Sequence, residues 1–246
     1  MVVIIPAYNE AASVGRVVAQ VRAVLPAADV CVIDDGSSDA TGAAATAAGA
    51  ITLHHPYNLG IGTAVQTGFL YAYRRGYDVA IRVDADGQHP PDLLPALLRA
   101  LDDNGADMIV GSRFLEDRGG YRGTLPRRIG IRVLAGVIGA ITGQIVSDPT
   151  SGFYAANRRA IAFCAHAYPH DYPEPEARVW LHRAGLIVHE TPVMMRERAG
   201  GVSSITTLRS IYYMLKVLLA LALDALRPAP AYTPAETGHT GDGAEE

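Results

Sequence analysis

Short apolar runs alternate with longer helical stretches through the first half of the chain, and this alternation limits the possible folds more than any other feature. The runs are VVIIP, VCVID, ITLHH, VAIRV and DMIVGSRF, with a predicted helix between each run and the next. Continuous runs rich in β-branched residues are typical of strands buried on both faces, as in a parallel sheet covered by helices. The sequence therefore predicts an α/β fold with a mostly parallel central sheet and helices on both faces.

The alternation ends after Phe114, where a polar loop at 115–128 leads into an apolar helix ending near Thr142. Further turn-rich stretches, one more helix and a strand-like run, LIVHETPVMM, follow. From Pro228 onward the chain is dominated by Pro, Ala, Thr, Gly and acidic residues without periodicity, which predicts disorder. We therefore expect one α/β domain at 1–204, an apolar or amphipathic helix at 205–227 and a disordered tail at 228–246.

Charge and cysteine content narrow the possible functions. The formal net charge is -4 at pH 7, whereas a nucleic-acid-binding domain needs a basic surface to displace counterions. The two cysteines, Cys31 and Cys164, lie far apart in apolar stretches, and we expect them to be reduced core residues of a cytosolic protein. The sequence therefore argues against nucleic acid as a partner.

The two ends of the chain bear on membrane association. Met1 leads directly into a strand-like run, so no signal peptide is expected. Near the other end, the apolar stretch at 211–226 is interrupted by Lys216 and Asp224, and its uninterrupted part is shorter than the ~18–20 residues that span a bilayer. Three interpretations stay open for this stretch: a core helix, a helix lying in the membrane interface, or a surface for a membrane-associated partner.

Polar residues follow three of the predicted strands at the point where each strand ends. PAYNE follows the first strand, DDGSSDAT follows the second, and DADGQH follows the fourth. In an open parallel sheet, ligands bind at the carboxyl ends of the strands, near the point where the strand order reverses. The sequence therefore predicts one ligand site at this edge of the sheet.

Asp84 and Asp86 are separated by a single residue at the end of an apolar run. If the strand continues to Asp86, its period of two places both carboxylates on one face. Two negative charges held so close repel, so one would take up a proton unless a cation lay between them. Carboxylate oxygens suit Mg²⁺ or Mn²⁺, with Gln88 as a third ligand or water-holder, whereas the neighbouring His89 is expected to be an ordinary loop residue.

Six segments occur in the order PAYNE, DDGSSDAT, NLGIGTAVQTGFLYA, DADGQHPP, GSRF and SDPTSGF. In this order they resemble family 2 glycosyltransferases, which have the GT-A fold, a Rossmann-like fold of nucleotide-diphospho-sugar transferases. The resemblance covers about residues 2–215. Within that family, the chain is most similar to polyprenyl-phosphate glycosyltransferases of the dolichyl-phosphate mannose (or glucose) synthase type. The processive-synthase motif Gln-x-x-Arg-Trp is absent from the sequence, which argues against polymer synthesis.

The resemblance implies a donor site at the predicted edge of the sheet. It assigns nucleotide-sugar contacts to Pro6, Ala7, Tyr8, Glu10, Asp34, Asp35, Asp84, Ala85 and Asp86. Of the acidic pair, Asp35 is favoured as the residue that receives the nucleoside. The resemblance also implies that Asp84, Asp86 and Gln88 hold a divalent cation, Mg²⁺ or Mn²⁺, on the diphosphate.

On the acceptor side, the resemblance implies three catalytic residues. Arg113 in GSRF is expected near the sugar and the acceptor. Asp148 in SDPTSGF is expected at the acceptor side of the reaction centre. Arg198 in RERAGG is expected on a loop that closes over the diphosphate and the acceptor phosphate.

The acceptor site departs from the family pattern at one cation. Ser204 stands where relatives of the dolichyl-phosphate mannose synthase type have Lys. We expect Arg127 or Arg128 to supply that charge, with Ser151 of the SDPTSGF motif as a further acceptor contact.

The resemblance and the motifs together predict a metal-dependent, inverting hexosyltransferase that acts in the cell envelope. Its donor would be a nucleotide sugar of the GDP-mannose or UDP-glucose type, and its acceptor a polyprenyl or dolichyl phosphate. Transfer to a glycan or small-molecule hydroxyl, and a non-catalytic nucleotide-sugar-binding module, are the alternatives.

The acceptor class decides whether the reaction needs a general base. A lipid phosphate has a second pKa of ~6 and attacks without a base, whereas a hydroxyl acceptor needs one. Asp148, Glu174 and Glu176 are the candidates for that base. With a lipid acceptor, we expect a peripheral protein at the inner face of the cytoplasmic membrane, its C-terminal helix meeting the membrane or a small membrane protein.

Overall fold

The computed structural model describes residues 1–116, 125–195 and 207–226. Its strands are β1 (Val2–Ala7), β2 (Asp29–Asp34), β3 (Ile51–His54), β4 (Val79–Arg82), β5 (Met108–Ser112), β6 (Tyr154–Asn157) and β7 (Val188–Pro192). Its α-helices are α1 (Val14–Val24), α2 (Thr41–Ala47), α3 (Ile61–Arg74), α4 (Leu94–Asp103), α5 (Leu125–Thr142), α6 (Arg158–His166), α7 (Pro173–Arg183) and α8 (Thr207–Leu226). A 3₁₀ turn at Pro91–Leu93 precedes α4.

The strands form one seven-stranded sheet in the order β3-β2-β1-β4-β6-β5-β7. Neighbouring strands are parallel, except that β6 runs antiparallel to both β4 and β5. The prediction of a mostly parallel central sheet is therefore confirmed. Strand β6 and helix α6 are absent from the sequence-based prediction, because YAAN contains no β-branched side chain and follows a turn-rich motif.

Strand register brings the ends of three parallel strands together. Ala7 at the end of β1 pairs with Asp34 at the end of β2, and Ile4 of β1 pairs with Arg82 at the end of β4. The polar loops that follow these three strands therefore lie at one edge of the sheet, as the sequence predicts.

Alternate side chains of β1 enter two separate cores, because successive residues of a strand point to opposite faces. Ile5 belongs to the core that contains Val17 of α1 and Leu97 of α4, whereas Ile4 belongs to the core that contains Phe69 of α3 and Phe163 of α6. Helices thus cover both faces of the sheet.

Both cysteines lie in these cores, as expected. Cys31 and Cys164 are buried and free. Burial raises the pKa of the Cys31 thiol to about 12 and also raises that of Cys164. Neither thiol is therefore ionised at neutral pH, which fits a structural role.

Helix α8 packs on the domain through a third, smaller core. Its buried members are Leu134 and Ile138 of α5, Val179 of α7, and Val217 and Leu221 of α8. Near the end of α8, the indole of Trp180 donates a hydrogen bond to Asp224 Oδ2 at 2.9 Å. One face of α8 therefore packs on the domain, as the core-helix interpretation of this stretch predicts.

The opposite face of α8 is apolar and exposed. Leu215, Leu219 and Leu223 are 63%, 61% and 46% exposed. Within the described ranges, no helix combines the length and the apolar character needed to cross a membrane. The division of the chain at 204 and 227 stays a prediction, because 196–206 and 227–246 lie outside the described residues.

Candidate active site

Hydrogen bonds join the loop after β1 to the loop after β2, so that the two loops form one surface at the edge of the sheet. Asn9 N donates to Ser37 Oγ at 2.9 Å, and Ser38 N donates to Asn9 Oδ1 at 2.9 Å. Glu10 N donates to Thr41 Oγ1 at 2.8 Å. Asn9 has a left-handed backbone with φ of 54°, a conformation in which Asn is enriched. These contacts fix the relative positions of the two loops without a ligand.

Four predicted donor contacts belong to the first of these loops. Pro6 and Ala7 complete β1 and are buried. The Glu10 carboxylate accepts a hydrogen bond from Ser13 Oγ at 2.6 Å. Tyr8 is 48% exposed, so its ring is the largest surface of the four that is open to a ligand.

Both carboxylate oxygens of Asp35, the favoured nucleoside contact, accept hydrogen bonds from other residues of the protein. Oδ1 accepts from His55 Nδ1 at 2.7 Å and from Leu59 N at 2.9 Å. Oδ2 accepts from Gly60 N at 2.9 Å. The residue is buried, so these bonds clamp the start of the NLGIG segment onto the end of β2. Asp35 therefore positions this segment, and its contact with a nucleoside stays a prediction.

Asp34 is held in a similar way. Its Oδ1 accepts from Ser37 N at 3.1 Å, and its Oδ2 accepts from His54 Nδ1 at 3.1 Å. A Cβ atom at Gly42 would lie 2.7 Å from Asp34 Oδ2 and 2.3 Å from His54 Cε1. Only glycine at position 42, at the start of α2, avoids a steric clash with the Asp34–His54 pair.

The acids of the DADGQ segment do not lie on a strand face. Strand β4 ends at Arg82, so the alternation argument for Asp84 and Asp86 is wrong. A turn brings the segment together instead: Gln88 N donates to Asp86 Oδ1 at 3.0 Å, and Gly87 has a positive φ of 78°. Ala85 between the two acids is buried.

His89 anchors this turn from within the core. Its Nδ1 accepts a hydrogen bond from Asp84 N at 2.9 Å, and its ring stacks on Phe153 with centroids 4.9 Å apart. Burial lowers the pKa of His89, so the ring is neutral and serves as the acceptor. His89 lies in the loop as expected, but it is a buried structural residue.

Arg82 is a site residue that sequence reasoning missed. Its side chain is 3% exposed and donates from Nη2 to Asp84 Oδ1 at 3.2 Å and from Nη1 to Glu174 Oε1 at 2.8 Å. Asp84 thus has a counter-ion of its own, so a divalent cation is not needed to neutralise it. The one available signal was an arginine inside the otherwise apolar run VAIRV.

The predicted cation ligands keep the chemistry that Mg²⁺ or Mn²⁺ requires. Burial raises the pKa of Asp84, but the groups around its carboxylate, Arg82 foremost, together lower the pKa by more, so that it lies below the usual value. Asp84 is therefore ionised, and its side chain is 33% exposed. Within the described ranges, no group of three or more His, Cys, Asp or Glu could hold a metal ion. The two carboxylates and the Gln88 amide offer only oxygen atoms as ligands, which is the ligand type that a hard cation also bound by phosphate oxygens would use.

On the acceptor side, Arg113 and Asp148 form a closed ion pair. Arg113 Nε donates to Asp148 Oδ2 and Nη2 donates to Oδ1, each at 2.7 Å. Nη2 also donates to Thr150 Oγ1 at 2.7 Å. Asp148 is fully buried, whereas the Arg113 side chain is 11% exposed. Asp148 therefore holds Arg113 in place, and Arg113 is the member of the pair that can meet a ligand.

A second buried pair, Glu190 with Arg178, supports the first and was also missed from the sequence. Arg178 Nη2 donates to Glu190 Oε1 at 2.5 Å. The same oxygen accepts from Asp148 N at 3.1 Å, and Glu190 Oε2 accepts from Ser147 N at 3.0 Å. Glu190 lies in β7, so this strand fixes the peptide that carries Asp148. No local pattern reveals the pair, because Arg178 belongs to a helix and Glu190 to a strand.

The predicted acceptor contacts differ in their burial and in whether the structure describes them. Ser151 is buried and donates from Oγ to Gly111 O at 2.6 Å, and its contact with an acceptor stays a prediction. Arg128 is exposed on α5. The side chain of Arg127 and the whole of Arg198 lie outside the described residues.

Glu174 and Glu176, the alternative candidates for a base, both lie in the first turn of α7. Negative side chains there interact favourably with the helix dipole. Glu174 is paired with Arg82. Glu176 is buried. Neither is presented to solvent as an open carboxylate.

Comparison with known proteins points to one family. The family described as Glycosyl transferase family 2 matches residues 2–163. Polyprenol monophosphomannose synthase from Mycolicibacterium smegmatis is 36% identical over 166 residues, which cover 65% of this chain and 62% of that protein. Undecaprenyl-phosphate mannosyltransferase from Micrococcus luteus is 42% identical over 115 residues, which cover 45% of this chain and 46% of that protein. The chain thus matches between about half and two thirds of the length of these relatives.

The fold also matches solved structures. Glucosyl-3-phosphoglycerate synthase from Mycobacterium tuberculosis, crystallised with Mg²⁺ and UDP, superposes with a TM-score of 0.65 at 21% identity, covering 91% of this chain and 78% of that one. The same enzyme with Mn²⁺, UDP and glucosyl-3-phosphoglycerate gives a TM-score of 0.63 at 22% identity, covering 91% and 78%. At this identity the likeness concerns the fold alone, and it confirms the predicted GT-A fold.

Proposed function

Because the chain belongs to glycosyl transferase family 2, we propose that it transfers a hexose from a nucleotide sugar to the phosphate of a polyprenyl lipid. One observation carries the proposal: the ionised Asp84 and its neighbour Asp86 lie at the same sheet edge as the nucleotide loops after β1 and β2. The named activities of the mycobacterial and Micrococcus relatives support the choice of acceptor.

Asp84, Asp86 and Gln88 would hold Mg²⁺ or Mn²⁺ in the donor complex. The cation would supply positive charge to the diphosphate as it leaves. The donor would be of the GDP-mannose or UDP-glucose type, with Tyr8 available as an apolar surface for the nucleotide. Arg113 would contribute a fixed positive charge beside the acceptor, and Arg198, which lies outside the described residues, would add another.

The lack of an open base among the candidate carboxylates favours a phosphate acceptor. Asp148 is fully buried and engaged by Arg113, and Glu174 is engaged by Arg82. A hydroxyl acceptor needs a group that can take its proton, whereas a lipid phosphate, with a second pKa of ~6, is already ionised at neutral pH. Direct attack by a phosphate oxygen on the anomeric carbon inverts its configuration.

An exposed apolar surface supports action at a membrane. Leu215, Leu219 and Leu223 of α8 are exposed, as are Ile129 and Val133 of the neighbouring helix α5. The same two helices carry the exposed basic residues Arg128, Arg132 and Lys216. Apolar side chains flanked by cations suit the headgroup region of an anionic bilayer. A peripheral position on the cytoplasmic membrane would bring the lipid acceptor to the site.

The test is a product assay with Mn²⁺ or Mg²⁺ and a panel of GDP- and UDP-hexoses, with and without a polyprenyl phosphate in vesicles. We expect a lipid-linked hexose that forms only when both the acceptor and the cation are present, and none after EDTA treatment. Product on a glycan hydroxyl alone would replace this proposal with the hydroxyl-acceptor alternative. Nucleotide-sugar binding without turnover would instead indicate a non-catalytic binding module.

A further inference from the structure

The guanidinium of Arg82 fills a closed slot between the donor-side and acceptor-side motifs. Gly152 of SDPTSGF forms one wall, because a Cβ atom there would lie 2.7 Å from Arg82 Nη2 and 2.8 Å from Cζ. The ring of Tyr154 lies nearby, with its centroid 5.8 Å from Cζ. Asp84 and Glu174 each engage a different terminal nitrogen. Arg82 therefore contacts the cation motif, the acceptor motif and α7 at once.

The charges in this slot are one cation between two anions. Burial opposes the charge of Arg82, but Asp84 and Glu174 raise its pKa well above the usual value, so it stays charged. Its Nε is buried without a hydrogen-bond partner in the described part of the chain. The hydrogen-bond geometry of Arg82 is thus incomplete, and the two carboxylates account for its retention in the core.

We propose that Glu174 is a positioning residue that sets the cation affinity of Asp84 by sharing the charge of Arg82. This inference rests on the proposed function, because it takes Asp84 as a ligand of the divalent cation. Without Glu174, the whole positive charge of Arg82 would act on Asp84 and on any cation bound there. With Glu174 present, Arg82 and Glu174 together carry almost no net charge. The negative charge of Asp84 then remains available to a bound cation.

The size of the effect follows from Coulomb's law. Glu174 lies one guanidinium group away from Asp84, and at that separation its interaction with a divalent ion is partly screened by solvent. Loss of the Glu174 charge should therefore weaken cation binding by about tenfold.

The experiment measures Mn²⁺ alone, at millimolar concentrations, by the EPR signal of the free ion. Glu174→Gln keeps an oxygen that can accept from Arg82 but removes the charge, and we expect its Kd for Mn²⁺ to rise by about tenfold. The double variant Arg82→Met with Glu174→Gln removes both opposite charges, and its Kd should return to within about threefold of wild type.

Asp171→Asn is the matched control. Asp171 is exposed just before α7, so this change removes the same charge near Glu174 without touching Arg82, and the Kd should stay within about twofold of wild type. A purely structural role for Glu174 would lower the melting temperature of Glu174→Gln and leave its Kd unchanged.

Three outcomes overturn the inference. A wild-type Kd in Glu174→Gln would show that Glu174 does not tune the cation site. A double variant as weak as Glu174→Gln would show that Glu174 does not act through Arg82. If wild-type protein binds no Mn²⁺, the cation assignment within the proposed function fails first, and this inference fails with it.

Discussion

On the donor side of the site, Asp35 accepts hydrogen bonds from two backbone amides and a histidine, whereas on the acceptor side Asp148 accepts from Nε and Nη2 of Arg113. The donor-side loops after β1 and β2 are fixed by neutral hydrogen bonds to Asn9 and Ser37. The acceptor-side loop is fixed by buried ion pairs, of which Glu190 with Arg178 is the second. The two sides thus use different chemistry to reach a fixed geometry.

The difference separates a partly exposed carboxylate, which is open to a ligand, from a fully enclosed one. Asp84 is ionised and one-third exposed, so its charge can meet a cation. Asp148 is fully buried, and its charge is already matched by Arg113. Removing a buried partner leaves an uncompensated charge and costs stability, whereas removing a partly exposed ligand costs mainly function. The largest effects on activity and on stability should therefore occur on opposite sides of the site.

The largest expected effect is on turnover, from Asp86→Asn on the donor side. The variant keeps an oxygen that can accept from Gln88 N, so the turn should survive while the cation site loses a charge. We expect the rate of hexose transfer to fall by about 10²- to 10³-fold, with the melting temperature within about 2 °C of wild type. Initial rates and a thermal melt measure the two quantities. A wild-type rate would show that Asp86 holds no cation.

The next effect is on stability, from Asp148→Asn on the acceptor side. This change leaves the Arg113 guanidinium without its buried counter-ion, so the free energy of unfolding should fall by about 3–5 kcal/mol. Urea denaturation gives the value, and the exposed Asp171→Asn should change it by less than about 0.5 kcal/mol. If Asp148→Asn is as stable as wild type, the contrast between the two sides does not hold.

The smallest effect probes the boundary between the sides, through Gly152→Ala. The added methyl would meet the guanidinium of Arg82, which two carboxylates prevent from moving away freely, and the cost should be about 1–3 kcal/mol of unfolding free energy. Gly136→Ala is the control, because a Cβ atom at Gly136 of α5 would meet open space and alanine favours a helix by about 1 kcal/mol. Equal unfolding free energies for Gly152→Ala and wild type would mean that Arg82 is free to shift.

Much of the donor side could be predicted from the sequence because its features are local. The run VVIIP followed by PAYNE fixes both a strand and the loop at its end, and the same holds for VCVID with DDGSS. The alternation argument at Asp84 and Asp86 was wrong because it needed the exact end of β4, and strand ends are the least certain part of such a prediction. The motif still reached the expected edge, because the strand order put β4 beside β1.

The ion pairs of the acceptor side, and the Arg82–Glu174 pair at its boundary with the donor side, could not be predicted, because their partners are distant in sequence. Arg82 and Glu174 are separated by 92 positions, and Arg113 and Asp148 by 35. A charge pattern along the chain does not specify which of several arginines will meet which acid. The antiparallel strand β6, inserted between β4 and β5, is what carries the SDPTSGF motif back to Arg82 and Arg113.

By itself, the sequence determined the alternating elements, the polar loops after three strands and the family of the chain, since each depends on residues that are neighbours in the chain. Only the tertiary structure decided which carboxylates stay partly exposed, as Asp84 does, and which are fully enclosed with their arginine partner, as Asp148 is. The reason is physical: the charge available at a carboxylate depends on its burial and on the groups within a few ångströms, and folding alone sets both.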